Sequence, residues 1–439
     1  MMKKISFASL LLAFCMVAWA QNISTTDDLA TNDTINADTI TWEEEVKAGL
    51  NIMAEEARNA YYTVGMSVYD LSADSSLFTF NDKKVLRPAS TEKLLTAISA
   101  LSILGGTHEY HTKAYYTGSI ADSTLNGDIY VVGDMDPTYT YDKLCELAKY
   151  IQDQGIKSIK GKLYADISMK DSLLYGNGWC WDDVPSKYEP YLPALLFDRG
   201  QNSPASTKYS DDVNFRPWLH FMKTLGDVLQ SNGVSSLSAE GDTLEAFPYG
   251  VQNLPLRGRR CFYTESTTIE TVLQRMMKNS DNLYAESMFW QLAKFNKGKT
   301  CTYKDGVRHV ENTIRRAGAS TDQVKIVDGS GVSLYNYHSA DTQIALLRYA
   351  YAHEDIFKYL YPSLPVSGKD GTLSDRMGKS NARYNVHAKT GTLTGVSSLS
   401  GYITASNGHT LAFSIIINGV LKNSIGQNFQ DRVCEILAR

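Results

Sequence analysis

A serine and a lysine stand three positions apart at the start of an apolar run, a spacing that can support nucleophilic catalysis. Ser90 and Lys93 precede apolar residues at helical spacing, Leu94, Ile98 and Leu101, so both side chains are expected on one face of the first turn of a core helix. A lysine removed from water has a lowered pKa and can accept the hydroxyl proton. The first N–H groups of the helix would stabilise developing negative charge. Taken alone, the pair is also typical of a helix-capping serine and a solvated lysine.

Two further short motifs carry groups of the same kind. Ser280-Asp281-Asn282 lies between a helix predicted over 271–278 and another predicted over 283–292; its alternative interpretation is a capping turn. Lys389-Thr390-Gly391-Thr392 follows predicted strand residues 384–388 and offers a cation, hydroxyls and a close approach of backbone. Its alternative is an edge-strand lysine followed by a turn.

Both ends of the chain predict the elements that must position these motifs. Alternating apolar and polar residues predict two β-hairpins, with strands at 62–71, 76–81, 397–404 and 410–418. Helical periodicity predicts terminal helices over 43–60 and 428–437. We therefore expect an α+β fold in which both hairpins form one antiparallel sheet, with the terminal helices on one face.

The three motifs together, in this order, resemble the set found in penicillin-binding proteins and class A β-lactamases. Ser280 follows Ser90 by 190 residues, much farther than in β-lactamases of this type, so a domain-sized insertion is expected between them. The chain therefore resembles the low-molecular-mass class C penicillin-binding proteins, the D-alanyl-D-alanine carboxypeptidase/endopeptidase family. Further similarity to the family lies at 127–130, 136–138, 178–183, 328–331 and 371–373.

The resemblance implies a penicillin-binding, serine β-lactamase-like transpeptidase fold. Residues 46–110 and 262–439 are expected to form the catalytic domain, an antiparallel sheet with flanking helices, and 111–261 a β-rich insertion. Residues 132–135 and 197–201 depart from the family's glycine-rich and asparagine-rich patterns. Both segments lie in the insertion, so the departures concern its packing and substrate preference rather than the chemistry.

The resemblance also implies catalytic roles. Ser90 would attack the carbonyl of the penultimate D-alanine of a peptidoglycan stem peptide, and Lys93 would take its proton. Ser280 would help to pass a proton to the leaving amine. Backbone N–H groups of Ser90 and Thr392 would form the oxyanion hole. β-Lactam antibiotics would acylate the same serine as covalent inhibitors.

The remaining matched residues would bind substrate. Asn282 would hold the substrate amide, and Lys389 with Thr390 and Thr392 would hold the terminal carboxylate. Gly391 would allow the strand to approach closely. Such a site would cut either the terminal D-Ala-D-Ala bond or the D-Ala cross-link to a neighbouring stem, and these residues do not separate the two.

Two alternatives were weighed against this interpretation. No Glu-x-x-Leu-Asn sequence follows Ser280 to supply a second base, so slow hydrolysis of a β-lactam adduct is predicted and a β-lactamase is excluded. A catalytically idle penicillin-recognising fold, acting as a cell-wall binding or scaffold module, is the alternative from another class. The intact Ser90, Lys93, Ser280 and Lys389 argue against it.

The N-terminus predicts export. Residues 1–20 have a basic start, an apolar run too short to span a bilayer comfortably, and a small-x-small end at Ala18-Trp19-Ala20. A signal peptide, a mature start at Gln21 and a periplasmic location without stable membrane insertion are expected; a retained anchor is the alternative. The residue before Cys15 is large, which argues against lipidation. Residues 21–45 carry seven acidic residues and no Lys or Arg, which predicts a disordered tether.

Composition excludes other classes of function. The 439 residues include 43 Lys+Arg and 48 Asp+Glu, a net charge of −5, without a basic cluster that would suit nucleic acid. Neither a metal nor a cofactor is predicted, since His108 and His111 lack zinc-site spacing. The cysteines after the predicted cleavage site do not form a disulfide framework and are expected to be buried free thiols, with one or two bridges formed after export as the alternative: Cys145, Cys180, Cys261, Cys301 and Cys434.

Overall fold

The computed structural model describes residues 40–181, 186, 189–202, 213–298 and 300–439. The predicted signal peptide and residues 21–39 of the predicted tether lie outside them. The helices described are α1 (Trp42–Arg58), α2 (Glu92–Leu104), α3 (Tyr141–Asp153), α4 (Pro217–Ser231), α5 (Ile269–Lys278), α6 (Asn282–Lys294), α7 (Tyr303–Arg316), α8 (Ala340–Tyr351), α9 (Glu354–Ser363) and α10 (Asn423–Leu437). The strands described are β1 (Thr63–Asp70), β2 (Ser75–Phe80), β3 (Glu109–Thr117), β4 (Ser119–Ala121), β5 (Thr124–Asn126), β6 (Ile129–Val132), β7 (Ser158–Lys160), β8 (Leu163–Asp166), β9 (Ser235–Leu237), β10 (Thr243–Leu244), β11 (Tyr249–Val251), β12 (Arg259–Thr268), β13 (His387–Leu393), β14 (Val396–Thr404) and β15 (Thr410–Asn418).

One antiparallel sheet joins the two ends of the chain, as expected from the two hairpins. Its strand order is β13-β14-β15-β1-β2, and β1 pairs with β15 along its whole length, from Thr63 opposite Asn418 onwards. Helices α1 and α10 cover one face, where Val46 and Val433 share a buried cluster with Ile415. This sheet and its two terminal helices confirm the predicted α+β architecture.

The N-terminal helix starts earlier than the predicted boundary of the tether. Helix α1 begins at Trp42, and Glu43, Glu44 and Glu45 occupy its first turn. Negative side chains at this end of a helix interact favourably with the helix dipole. The Trp42 indole donates a hydrogen bond to the carbonyl of Arg439. The predicted tether and the helix predicted over 43–60 both include residues 43–45; the structure places them in the helix, which begins one residue earlier, at Trp42.

The other face of the sheet is covered by helices. Alternate residues of a strand point to opposite faces, so Tyr402 and Ala412 pack into a helical cluster with Leu95, whereas their neighbours Ile403 and Phe413 pack towards α1 and α10. Helices α2 and α6 lie in the middle of this layer. Every residue of α6 from 283 to 293 is buried, which is typical of a helix enclosed on all sides and fixes its first turn firmly.

Residues between α2 and α5 form two further five-stranded sheets. Their orders are β10-β9-β7-β5-β4 and β11-β8-β6-β3-β12, and several neighbours are parallel, including β6 with β8. Helices α3 and α4 pack with these sheets, and Leu144, Leu225 and Ile159 belong to one buried cluster. The prediction of a mainly β-rich segment is therefore incomplete, because two amphipathic helices contribute to its core.

The first and last long strands of this segment are paired with each other. Strand β3 runs antiparallel to β12, with Glu109 opposite Thr268 and Thr117 opposite Arg259. The entry and exit of the segment are thus side by side. We propose that 111–261 is an inserted domain within a catalytic domain formed by 46–110 and 262–439; the separate buried cluster and the adjacent crossings support this division.

Candidate active site

Ser90 lies in a short 3-10 turn, residues 89–91, directly before α2. The preceding Ala89 is buried and has φ of 50°, a conformation that is costly for a residue with a Cβ atom. Its carbonyl oxygen would lie 2.0 Å from a Cβ atom at Gly331, whose φ is 81°. The turn that carries Ser90 is therefore held against a glycine loop that no other residue type would fit.

Lys93 is fully buried beneath Ser90. Its Nζ lies 3.0 Å from Ser90 Oγ, 2.7 Å from Asn282 Oδ1 and 2.6 Å from the carbonyl oxygen of Ser330. A neutral amine has two N–H groups and one lone pair, whereas the amide and carbonyl oxygens can only accept. These two oxygens would take both N–H groups and leave the lone pair for the hydroxyl proton of Ser90. The contacts thus suit a lysine that acts as a base.

Burial favours the neutral form of this lysine. Desolvation lowers the pKa of Lys93 from 10.5 to about 8, while Asp328 and Glu286 are the leading charges that oppose the decrease. A group with a pKa close to the working pH is an efficient general base. Glu286 is itself fully buried, and its pKa is raised to about 8, first by burial and then by Asp328.

The second motif lies on the connection between α5 and α6. Ser280 has φ of 57°, and its Oγ accepts a hydrogen bond of 2.8 Å from Lys389 Nζ. Lys389 also donates to the carbonyl of Thr390 at 2.7 Å. Burial, followed by the charge of Lys93, holds the pKa of Lys389 well below its usual value. The two lysines thus contact the two ends of the Ser280–Asn282 turn, Lys389 at Ser280 and Lys93 at Asn282.

The third motif occupies edge strand β13. A Cβ atom at Gly391 would lie 2.1 Å from Ser398 Oγ and 2.7 Å from the carbonyl oxygen of Pro88, so this position requires glycine for the strand to approach the turn of Ser90. The hydroxyl of Thr390 donates to Thr372 Oγ1 at 2.7 Å. The sequence therefore placed the motif on the correct element, and Thr372 is an additional residue beside it.

A groove with a volume of about 540 Å³ runs between these elements. Five of the residues predicted from sequence line it, namely Ser90, Ser280, Asn282, Thr390 and Thr392. Lys93 and Lys389 are fully buried and reach the groove residues through the hydrogen bonds above. The structure thus brings all eight predicted site residues together, and Gly391 forms the close contact between strand and nucleophile turn.

Several residues that complete the site had no role predicted from sequence. The carbonyl of Ser330 contacts Lys93, but a backbone acceptor leaves no signal in residue type. Asp328 holds this loop by accepting from Trp179 Nε1 at 2.9 Å and from the N–H of Gly331 at 2.8 Å. Glu286 accepts a hydrogen bond from the N–H of Gly329 at 3.0 Å. Because Glu286 lies four residues after Asn282 on α6, helical spacing could have placed its side chain on the same face as Asn282. Two arginines, Arg199 and Arg275, also line the groove.

Residues considered for other chemistry have ordinary partners. His108 Nε2 lies 3.2 Å from Gln291 Oε1, and His111 Nδ1 lies 2.9 Å from Ser266 Oγ. Within the described ranges, His, Cys, Asp and Glu side chains form no group that could hold a metal ion. The five cysteines that the structure describes form no disulfide with one another, but only Cys301 and Cys434 are buried, so the expectation of buried thiols is wrong for Cys145, Cys180 and Cys261. A search of the same ranges finds no helix long and apolar enough to cross a membrane.

The fold is that of penicillin-binding proteins. The crystal structure of penicillin binding protein 4 (dacB) from Haemophilus influenzae superposes with a TM-score of 0.78 at 22% identity, covering 89% of this chain and 99% of that one. Among sequences, D-alanyl-D-alanine carboxypeptidase DacB of Haemophilus influenzae is 26% identical over 409 residues, 81% of this chain and 85% of that protein. D-alanyl-D-alanine carboxypeptidase of Actinomadura sp. is 27% identical over 446 residues, 85% of this chain and 81% of that protein.

A family model identifies the chain more closely. The model of the D-Ala-D-Ala carboxypeptidase 3 (S13) family matches residues 48–259 and 235–439, and the chain belongs to this family. The resemblance to class C penicillin-binding proteins and the predicted fold class are thereby confirmed.

Proposed function

We propose that the protein is a serine-type D-alanyl-D-alanine carboxypeptidase that acts on peptidoglycan stem peptides through an acyl-enzyme on Ser90. The observation that carries this proposal is the set of contacts made by the buried Lys93 Nζ with Ser90 Oγ, Asn282 Oδ1 and the carbonyl of Ser330. With the amide and carbonyl oxygens accepting both N–H groups of a neutral Lys93, its lone pair would be left for the hydroxyl proton of Ser90. Family membership supports the same activity.

In the acylation step, Ser90 Oγ attacks the carbonyl carbon of the penultimate D-alanine while its proton passes to Lys93 Nζ. The backbone N–H groups of Ser90 and Thr392 stabilise the oxyanion of the tetrahedral intermediate. The bond to the terminal D-alanine then breaks, and its nitrogen receives, through Ser280, the proton that Lys93 took from Ser90, so Lys93 is neutral again. The hydrogen bond between Ser280 Oγ and Lys389 Nζ supports this relay.

Water completes the cycle by hydrolysing the ester. Lys93 takes a proton from the attacking water and passes it to Ser90 Oγ as the ester bond breaks, which restores the serine hydroxyl. Substrate is held by Asn282 through a peptide amide, and by Lys389 with Thr390 and Thr392 through the terminal carboxylate. Burial and Lys93 lower the pKa of Lys389, and a bound carboxylate would favour its protonated form in return. The same steps applied to a D-Ala cross-link constitute DD-endopeptidase activity, which we propose as a second reaction of this site.

The test is intact-protein mass spectrometry with and without excess penicillin, beside Ser90→Ala. We expect one covalent equivalent on the native protein, its absence in Ser90→Ala, and a slow loss of the adduct because no second base was found. Liquid chromatography of a peptide ending in D-Ala-D-Ala would then show release of free D-alanine. A folded native protein without an adduct would instead support the idle binding module.

We also propose that the protein is exported to the periplasm and that β-lactams are its covalent inhibitors. Residues 1–20 support export through their basic start, apolar run and small-x-small end. The experiment is N-terminal sequencing of the periplasmic fraction. Sequence beginning at Gln21 is the expected result, and an unprocessed Met1 in the membrane fraction would favour the retained anchor.

A further inference from the structure

A buried carboxylate lies in the middle of the Ser280–Asn282 turn, between two proposed active-site residues. The side chain of Asp281 is only 8% exposed. Its Oδ2 accepts hydrogen bonds from Arg199 Nη1 at 2.7 Å and from Arg275 Nε at 3.0 Å. Asp281 is the N-cap residue of α6, but its side chain makes no capping hydrogen bond. The carboxylate is thus directed to the arginines rather than to its own helix.

The dependence of this carboxylate on its partners follows from burial. A charge removed from water is stabilised only when oppositely charged groups with good geometry replace the water, and removal of one partner is costly. Asp281 directly follows Ser280, whose φ of 57° is unusual for a residue with a side chain. Any movement of Asp281 would therefore displace Ser280 Oγ from Lys389 and Asn282 Oδ1 from Lys93.

Arg199 reaches this turn from the proposed inserted domain. It lies in a 3-10 turn in which Asp198, Arg199 and Gly200 have φ values of 43°, 61° and 74°. Asp198 Oδ1 accepts from the N–H of Tyr141 at 3.2 Å, which ties the turn to the insertion. The Arg199 side chain is 12% exposed and lines the groove. Strained non-glycine conformations persist where the surroundings impose them, and they are concentrated at functional sites.

We propose that Arg199 is a positioning residue through which the inserted domain completes the active site. It fixes Asp281, and thereby holds Ser280 Oγ against Lys389 and Asn282 Oδ1 against Lys93. This inference rests on the proposed function, because it assigns to Arg199 the alignment of that acylation machinery. Arg199 lies within residues 197–201, whose sequence departs from the family pattern, so the proposal assigns a role to this segment.

The arrangement has an electrostatic consequence for the general base. The charged groups that act on Lys93 are Asp328, Glu286, Asp281, Glu92 and Lys389. The carboxylate of Asp281 favours the protonated lysine and raises its pKa, and Arg199 offsets that carboxylate. Removal of Arg199 should therefore shift the acidic limb of the pH profile of acylation to higher pH. Asp281→Asn should shift the same limb to lower pH.

The experiment measures the rate of penicillin acylation against pH for the full-length native protein and Arg199→Gln. We expect Arg199→Gln to acylate about 10- to 100-fold more slowly at neutral pH, the range associated with displacements of up to about 1 Å, with its acidic limb at higher pH. In the Asp281→Asn background, the further change Arg199→Gln should have little effect on the acylation rate, because the negative charge with which Arg199 pairs is already absent.

Lys294→Gln is the matched control, since Lys294 also pairs across to the insertion, with Asp134, but lies at the opposite end of α6. It should leave rate and pH profile unchanged. If Arg199→Gln and Lys294→Gln show the same acylation rate and the same acidic limb, the inference is overturned. A native protein that penicillin does not acylate would instead overturn the proposed function. Thermal unfolding of each variant monitors folding. If Arg199→Gln does not fold, Asp281→Asn decides: an unchanged rate and acidic limb would overturn the inference.

Discussion

The pKa of Lys93 makes a quantitative prediction about acylation by penicillin. Acylation requires the neutral amine, so its rate should follow the fraction of Lys93 that has lost its proton. With a pKa of about 8, that fraction is about 1% at pH 6, about 50% at pH 8 and about 97% at pH 9.5. The rate should therefore rise about 50-fold between pH 6 and pH 8 and only about twofold more by pH 9.5.

An unburied lysine would behave differently in the alkaline range. With the ordinary pKa of 10.5, the neutral fraction would increase about 30-fold between pH 8 and pH 9.5. The assay is stopped-flow or quenched-flow acylation at saturating penicillin, so that weaker binding at high pH does not affect the rate. An increase greater than about tenfold in this interval would refute the assignment of Lys93 as the desolvated base.

The matched variant is Lys93→Ala, which removes the base and leaves Ser90 in place. We expect a folded protein that acylates at least about a hundredfold more slowly, the usual contribution of a general base, without the limb near pH 8. Circular dichroism confirms folding. Acylation close to the native rate would exclude Lys93 from proton transfer.

Three further predictions concern the strand and the core. Lys389→Ala should mainly impair peptides with a free terminal carboxylate, as measured by D-alanine release; equal losses on a carboxyl-amidated peptide would exclude that role. Gly391→Ala should reduce acylation by at least about a hundredfold, because its Cβ would lie 2.1 Å from Ser398 Oγ; native acylation in the mass-spectrometric assay would contradict it. Phe413→Ala should lower the free energy of unfolding by about 3–5 kcal/mol, since Phe413 is fully buried; a denaturant titration showing less than about 1 kcal/mol would contradict the packing argument.

The sequence predicted the elements of the site well because each motif sits on a locally encoded element. Apolar spacing around Ser90 and Lys93 identifies α2, and the polar turn at Ser280 separates two periodic segments. Alternation places Lys389 on a strand next to a hairpin. These signals extend over about one or two turns of helix or one strand, so they are readable without knowledge of the tertiary structure.

Contacts between distant segments were not predictable in this way. The carbonyl of Ser330 could not be identified from residue type, and Arg199 reaches Asp281 across 82 positions of the chain. Helix α3 is a different case, because Leu144, Leu147 and Ile151 have helical spacing and are buried as that spacing predicts. The pattern was present, but turn-rich strand signals on both sides led to the expectation of a mainly β insertion.

The pairing of β1 with β15 has a consequence for biosynthesis. Arg87, just before the nucleophile turn, donates its N–H to Asn418 Oδ1, and the two residues are 331 positions apart. At about 5–20 residues per second, a ribosome needs roughly 20 to 70 seconds to make that stretch. During this interval one edge of β1 is unpaired, and the strand that carries Lys389 is made only towards its end. A nascent chain should therefore be unreactive towards penicillin, and prone to aggregation, until its last strands leave the ribosome. The active site would then form on release of these strands and not when Ser90 is synthesised.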